Sequence, residues 1–395
     1  MRHRVETFWT AALVLTSAAL LAQAPAGTDG KPPEPAATPR PTPTLPPVVS
    51  PEVFADRRVT FRLRMPNAEA VVLNGEWSRE RPPMAKDANG DWSLTVGPLE
   101  SDLYGYSFIV DGQSILDPVN GQVKVARSFR TSVVDVTGEK PRADEFADVP
   151  HGVLHVHDYV STSLGRRRGL QVYTPPGYGK DPAQRYPVLY LLHGAGDNEA
   201  TWISLGRAHW ILDKLIAEGK ARPMIVVLAD GHALWPTPPT PEGRLQNAVA
   251  FERDLLEDVV PLVDASYRVV PGARGRALAG VSMGGGHALM FGLRHPDVFA
   301  WITAQSASVF DAPTLEARAV TDEEGTNKNV ALLWFVVGKT EPLLPGNQGL
   351  SSKLTEHGVH HTFKPIDCEH NWRQWRRYLV EVAPLLFADP APAKK

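Results

Sequence analysis

The chain has 395 residues, 43% of them hydrophobic and 22% charged, with 41 Lys and Arg against 44 Asp and Glu and a formal net charge of −3. That balance suits a soluble protein of two domains and excludes both a disordered chain and the basic surface that nucleic acid requires. A single cysteine, Cys368, excludes an internal disulfide, so the fold must stand on its core.

Residues 1–24 place Arg2, His3 and Arg4 before an apolar run from Trp9 to Leu21 that ends in Ala22, Gln23 and Ala24. This is a signal-peptide layout, and the run is shorter than the roughly 20 residues of a spanning helix. The expectation is a secreted or periplasmic protein with no stable membrane insertion after signal removal. Residues 25–50, rich in proline and poor in large apolar side chains, read as a semi-rigid linker.

From 51 to 137 the segments "VTFRLRMP", "AEAVVLNGEW", "DWSLTVGPL" and "LYGYSFIVDG" alternate apolar and polar residues between Asn, Gly, Asp and Pro turns. This spacing predicts a small all-β sandwich, with Val59, Phe61 and Leu63 on one face and Arg62 and Arg64 on the other. Residues 138–150 read as a second linker. From 151 to 388 the pattern changes: "YPVLYLL", "PMIVVLA", "RALAGV", "FAWITA" and "ALLWFVV" are strands, separated by stretches with helical spacing. One such stretch carries Ala208, Ile211, Leu212, Leu215 and Ile216; another carries Phe251, Leu255, Val259, Leu262 and Val263. Strands alternating with helices predict an α/β fold with a mostly parallel central sheet. Residues 389–395 form a tail.

The chemistry centres on "GVSMGGGHALM" at 280–290. An apolar strand enters Ser282, and glycines leave it toward a helix, as a nucleophile elbow requires. A serine hydroxyl needs a base to take its proton. His370, on a late loop between "HTFKPI" and the closing helix, is better placed than His360 or His361. The acid that orients the base should follow a strand between them, and Glu341 after "ALLWFVVG" fits better than Asp311, Asp367 or Glu369. The oxyanion donors are expected at Met283 N–H and, in "LLHGAGD", at Ala195 with Gly194 next.

Trp202, Trp235 and Trp372 are candidate substrate-lining residues, and 231–247 a substrate-shaping loop. His151, His155 and His157 lack the further ligands of a closed metal site, so neither a metal nor a cofactor is expected. Cys368 has no elbow and reads as a small residue beside the base.

With these motifs in view, "VYTPPGY", "YPVLYLLHGAGDNEATW", "GRAHWILDKLIAEGKARPMIVVLADG", "ALAGVSMGG" and "EHNWRQWRRYL" make the region from His151 to Phe387 resemble the esterase-D-like α/β-hydrolases. That branch includes the family 1 carbohydrate esterases, among them feruloyl and acetylxylan esterases, and the enterochelin esterases. The resemblance implies an α/β-hydrolase fold and a triad of Ser282, His370 and Glu341, although the family usually has Asp at the acid position and often Gly where Cys368 stands. The sandwich resembles the immunoglobulin-like early-set modules related to family 48 carbohydrate-binding modules, which makes Trp77, Trp92 and Tyr106 candidates for stacking on sugar. The resulting expectation is a serine esterase acting on feruloyl or acetyl esters of plant cell-wall polysaccharide. A siderophore esterase, an acyltransferase and a noncatalytic carbohydrate-binding protein are the rivals.

Overall fold

Alternation in the first strands is enough to build a two-faced sheet: Val59, Phe61 and Leu63 are buried along Val59–Arg64, while Arg62 and Arg64 lean toward solvent. The structure, a computed structural model, describes residues 45–128, 130–309 and 321–388. The expected signal peptide, most of the first linker, the rival Asp311 and the tail at 389–395 lie outside the described residues.

Two antiparallel four-stranded sheets face each other. One joins Glu52–Val53, Val59–Arg64, Asp91–Val96 and Ala85–Lys86; the other joins Val71–Gly75, Asp102–Val110, Gln113–Ile115 and Ser132–Val136. Their core holds Phe61, Leu73, Trp92, Tyr106 and Phe108. The expectation that Trp77, Trp92 and Tyr106 stack on sugar is therefore corrected. Trp92 and Tyr106 are buried, Trp77 stacks on Phe61 at 5.2 Å, and the Tyr106 hydroxyl donates to Asp117 at 2.7 Å. A sandwich this small has too little apolar surface to leave its large rings outside.

The second layer is an eight-stranded sheet of β1 (Val153–Ser161), β2 (Arg166–Thr174), β3 (Val188–Leu192), β4 (Ile225–Ala229), β5 (Arg276–Val281), β6 (Trp301–Gln305), β7 (Leu332–Gly338) and β8 (Thr362–Ile366). Its order is β8-β7-β6-β5-β3-β4-β2-β1; β3 to β8 run parallel, and β1 and β2 are antiparallel at one edge. The central strands are buried on both faces, which explains why β3 and β4 read as unbroken apolar runs. Helices cover both faces, among them Ala208–Ala217, Met283–Arg294 and Trp372–Val382. This is the α/β-hydrolase architecture.

The described residues from Val48 onward form one compact unit, and buried charge joins its two sheet systems. Arg376, in the closing helix, pairs with Asp102 of the sandwich and donates to the Leu103 carbonyl at 3.1 Å. The 138–150 segment is packed into this junction: Arg142 pairs with Asp135 at 2.8 Å and Asp144 at 3.0 Å, and Asp144 is buried. His151, His155 and His157 bond to Asp213, Thr174 and Tyr267. The stretch 231–247 is only partly loop, because a helix begins at Pro241, where the Thr240 hydroxyl accepts from Gly243 N–H at 3.1 Å. Threonine before proline is an N-cap followed by N1, a start signal present in the sequence.

Candidate active site

Ser282 sits at the C-terminal end of β5, where the chain turns into the helix Met283–Arg294. Its backbone has φ 55° and ψ −118°, a conformation that costs an L-residue energy and that the neighbouring backbone must enforce. Ser282 N–H donates to the Gln305 carbonyl at 2.9 Å, and its own carbonyl accepts from Gly286 and Ser308. The turn has no room for a side chain two residues before or two residues after the serine. A Cβ on Gly280 would meet the Gly284 carbonyl oxygen at 2.3 Å, and one on Gly284 would meet the His193 carbonyl oxygen at 2.5 Å. The elbow glycines are thus required by close backbone approach.

His370, on the loop between β8 and the closing helix, places Nε2 3.0 Å from Ser282 Oγ. Its Nδ1 lies 2.7 Å from Oε2 of Glu341, which follows β7. The ring stands edge-on to Trp375 at 5.3 Å. Glu341 is buried, and its second oxygen accepts from the Ser306 hydroxyl at 2.7 Å and from Gly338 N–H at 3.0 Å. Burial pushes the Glu341 pKa up, but hydrogen bonds from His370, Ser306 and Gly338 outweigh it and hold the carboxyl below its ordinary value. The geometry thus brings Ser282, His370 and Glu341 into one hydrogen-bonded chain.

The rivals fall elsewhere. The Asp367 side chain is 85% exposed and pairs with Lys339, Glu369 bonds to Asn371, and His361 bonds to Ser351. His360 is exposed, its backbone N–H donating to Asn327. Cys368 lies 3.7 Å from Glu341 Oε1; burial and that carboxylate raise its pKa to about 11, which keeps it a thiol.

The turn after β3 passes beside the nucleophile: a carbon built on Gly194 would sit 3.5 Å from Ser282 Cβ. Ala195 is exposed, and neither its N–H nor that of Met283 has an acceptor among the described residues. The Gly194 carbonyl accepts from His193 Nδ1 at 2.8 Å and from Asp197 N–H at 3.3 Å, which turns the N–H of the same peptide, that of Ala195, the opposite way. Gly196 N–H donates to His232 Nε2 at 3.1 Å; burial lowers the His232 pKa to about 3, so this nitrogen keeps its lone pair. Two backbone donors free of internal partners beside a serine–histidine pair can hold the negative charge that develops on a carbonyl oxygen.

Two of the three expected substrate-lining tryptophans are corrected. Trp202 and Trp372 are 1% and 2% exposed and pack edge to face at 5.0 Å in the core between the sheet and the closing helix. Both sit at helix starts whose inner faces the sheet covers, so their rings offer no surface to a ligand. Trp235 is 41% exposed and borders an open cleft of about 330 Å³ with Ala126, Arg127, Arg130, Asn198 and Glu199.

Sequence reasoning missed Ser306 and His232. Ser306 follows β6 with φ 50°, and nothing in "TAQSAS" separates it from the other small residues of that turn. His232 stands in "ADGHALW", inside the expected substrate loop but with no pattern linking it to Gly196.

The family model described as "Putative esterase" matches residues 161–386. An endo-1,4-beta-xylanase/feruloyl esterase of Xylanibacter ruminicola is 30% identical over 355 residues, which cover 85% of this chain and 46% of that protein. An esterase of Mycobacterium tuberculosis is 30% identical over 227 residues, 54% of this chain and 45% of that one. The chain thus spans about half the length of these curated relatives. Among solved structures, a ferulic acid esterase aligns with TM-score 0.52 and 26% identity over 60% of this chain and 98% of its own. The enterobactin esterase of Shigella flexneri aligns with TM-score 0.62 over 84% of this chain and 94% of its own, at 19% identity, a likeness of fold.

Proposed function

The chain belongs to the esterase family whose model spans residues 161–386, and from that premise we propose a serine carboxylic-ester hydrolase that works through an acyl-enzyme. The observation that carries this reading is the relay from Ser282 Oγ to His370 Nε2 at 3.0 Å and from His370 Nδ1 to Glu341 Oε2 at 2.7 Å. His370 takes the Ser282 proton as Oγ bonds to the ester carbonyl carbon. The carbonyl oxygen becomes an oxyanion held by the N–H groups of Met283 and Ala195, with Gly194 lining the turn. Glu341 fixes the imidazole tautomer and stabilises the imidazolium. The proton then passes from His370 to the alkoxide oxygen, the carbon–oxygen bond breaks, and the alcohol departs. His370 next removes a proton from water, whose oxygen attacks the acyl carbon; collapse returns the proton to Ser282 and frees the carboxylic acid.

The substrate class we infer is a feruloyl or acetyl ester of plant polysaccharide; the 30% identity to the xylanase/feruloyl esterase of Xylanibacter ruminicola supports the feruloyl reading. Export rests on the first 24 residues. The test is hydrolysis of p-nitrophenyl acetate, methyl ferulate and a catecholate siderophore by wild type and by Ser282→Ala. Preferred turnover of methyl ferulate, lost in the variant, is expected. Preference for the siderophore would overturn the substrate assignment, and turnover surviving in Ser282→Ala would overturn the mechanism. No turnover, with no labelling of folded protein by a fluorophosphonate, would favour a noncatalytic binding protein.

A further inference from the structure

The turn that presents Ala195 N–H is held from outside the catalytic sheet. The segment 124–128, which precedes the last sandwich strand, reaches across and grips it. Lys124 Nζ forms a buried ion pair with the Asp197 carboxylate at 2.8 Å. Ser128 N–H donates to the Gly196 carbonyl at 2.8 Å, and the Thr201 hydroxyl donates to the Val125 carbonyl at 2.7 Å. Arg127 pairs with Asp230, whose carboxylate also accepts from His232 N–H at 3.0 Å. His232 is the ring that takes Gly196 N–H. The N–H of Gly196 is thus fixed from the catalytic side and its carbonyl from the sandwich side.

We propose that the sandwich is a working part of the active site, with Lys124 a positioning residue that sets the oxyanion turn through Asp197. The inference rests on the assignment of Ala195 N–H as an oxyanion donor. The physical chain is short. The Asp197 N–H is one of two donors that orient the Gly194 carbonyl, and that carbonyl and Ala195 N–H are the two ends of one planar peptide. Removing the Lys124 charge leaves the Asp197 carboxylate buried without compensation, so the turn must move to rehydrate it. Moving it rotates the Ala195 donor away from where charge develops. Such a donor acts on the transition state more than on bound substrate, so the loss falls on kcat and not on KM. It also falls on the smallest ester, which offers no sugar for a binding module to hold.

The experiment uses the full chain with p-nitrophenyl acetate and, in parallel, the rate at which a fluorophosphonate labels Ser282. Lys124→Met is expected to lower kcat about 10–100-fold, up to the loss of one oxyanion donor, with KM within about threefold and labelling slowed in proportion. Lys124→Arg should recover most of the loss. Asp135→Asn, which weakens a different contact between the two layers, to Arg207 at 2.8 Å, should stay within about twofold of wild type. If Lys124→Met does not fold, Lys124→Gln removes the charge but keeps a donor for the Asp197 carboxylate, and is expected to lower kcat about 3–30-fold with KM unchanged. Wild-type kcat in folded Lys124→Met, or in Lys124→Gln where Lys124→Met does not fold, or an equal loss in Asp135→Asn, overturns the proposal while leaving the esterase reading intact. A wild type inert to both ester and fluorophosphonate overturns the two together.

Discussion

Replacing Glu341 by glutamine tests the relay at the residue where the chain departs from the usual aspartate. One carboxylate oxygen accepts from Ser306 at 2.7 Å and Gly338 N–H at 3.0 Å, and the other faces His370 Nδ1 at 2.7 Å. Glutamine has one acceptor atom where glutamate has two. The Gly338 N–H cannot reverse, so the amide oxygen is drawn to that side and the amide NH2 faces His370. The ring must then accept at Nδ1 and carry its proton on Nε2, where Ser282 needs a lone pair. The opposite orientation keeps the correct tautomer but leaves a buried N–H facing another donor, at about 1–3 kcal/mol. Loss of the charged hydrogen bond to the imidazolium adds about 1.5–3 kcal/mol. Together these raise the barrier by about 2.5–6 kcal/mol, so kcat should fall about 10²–10⁴-fold. Steady-state hydrolysis of p-nitrophenyl acetate at pH 7.5 measures it, with circular dichroism and a thermal melt to establish the fold. A folded Glu341→Gln within tenfold of wild type would show that something other than Glu341 orients His370.

Ser306→Ala removes one donor from the same carboxylate and should lower kcat about 3–10-fold. That hydrogen bond helps depress the folded pKa of Glu341, so it stabilises the fold above the ordinary value of 4.5 and is lost as pH falls through the lowered value. The Tm deficit of Ser306→Ala should therefore be largest near neutrality and shrink below pH 4.5; a deficit constant with pH would sink the assignment. With its pKa near 11, Cys368 should react with iodoacetamide at pH 8 about 20-fold more slowly than a free cysteine. The thiolate fraction falls about 250-fold and intrinsic nucleophilicity recovers part of it; mass spectrometry reads the rate, and labelling at the free-thiol rate would contradict the burial. Trp202→Ala should cost about 3–5 kcal/mol in denaturant unfolding and leave KM of surviving enzyme alone. Trp235→Ala should barely move Tm but raise KM for methyl ferulate about 5–30-fold, for about 1–2 kcal/mol of lost stacking. An unchanged KM would show that the cleft beside Trp235 takes no part in holding substrate.

How much the sequence shows depends on how local each signal is. The elbow was legible because Gly280, Gly284 and the strand before Ser282 answer a steric demand within a few residues. His370 and Glu341 were legible through chain order, since both follow strands of an alternating pattern. Ser306 was not, because its hydroxyl matters only once β6 and β7 lie side by side and bring it to Glu341. Trp202 and Trp372 misled for a similar reason: a tryptophan near a catalytic motif looks the same in sequence whether its ring faces the cleft or the core. Lys124 and Asp197 carry no pattern at all, being 73 residues apart on different layers. The Thr240-Pro241 helix start, by contrast, stood in plain view inside a stretch taken for loop.

The pairing of Arg376 with Asp102 joins residues 274 apart in the chain. Contacts of such separation form late, because the intervening chain must already be ordered before they repay the cost of closure. The His370 loop leads directly into the helix that carries Arg376, and that helix packs on the catalytic sheet through Trp375, Tyr378 and Leu379 as well as on the sandwich, so its seating also sets the base. In refolding, local secondary structure can precede this seating. Recovery of ester hydrolysis should therefore lag recovery of secondary structure, because the base is set by a helix whose contacts span 274 residues of chain.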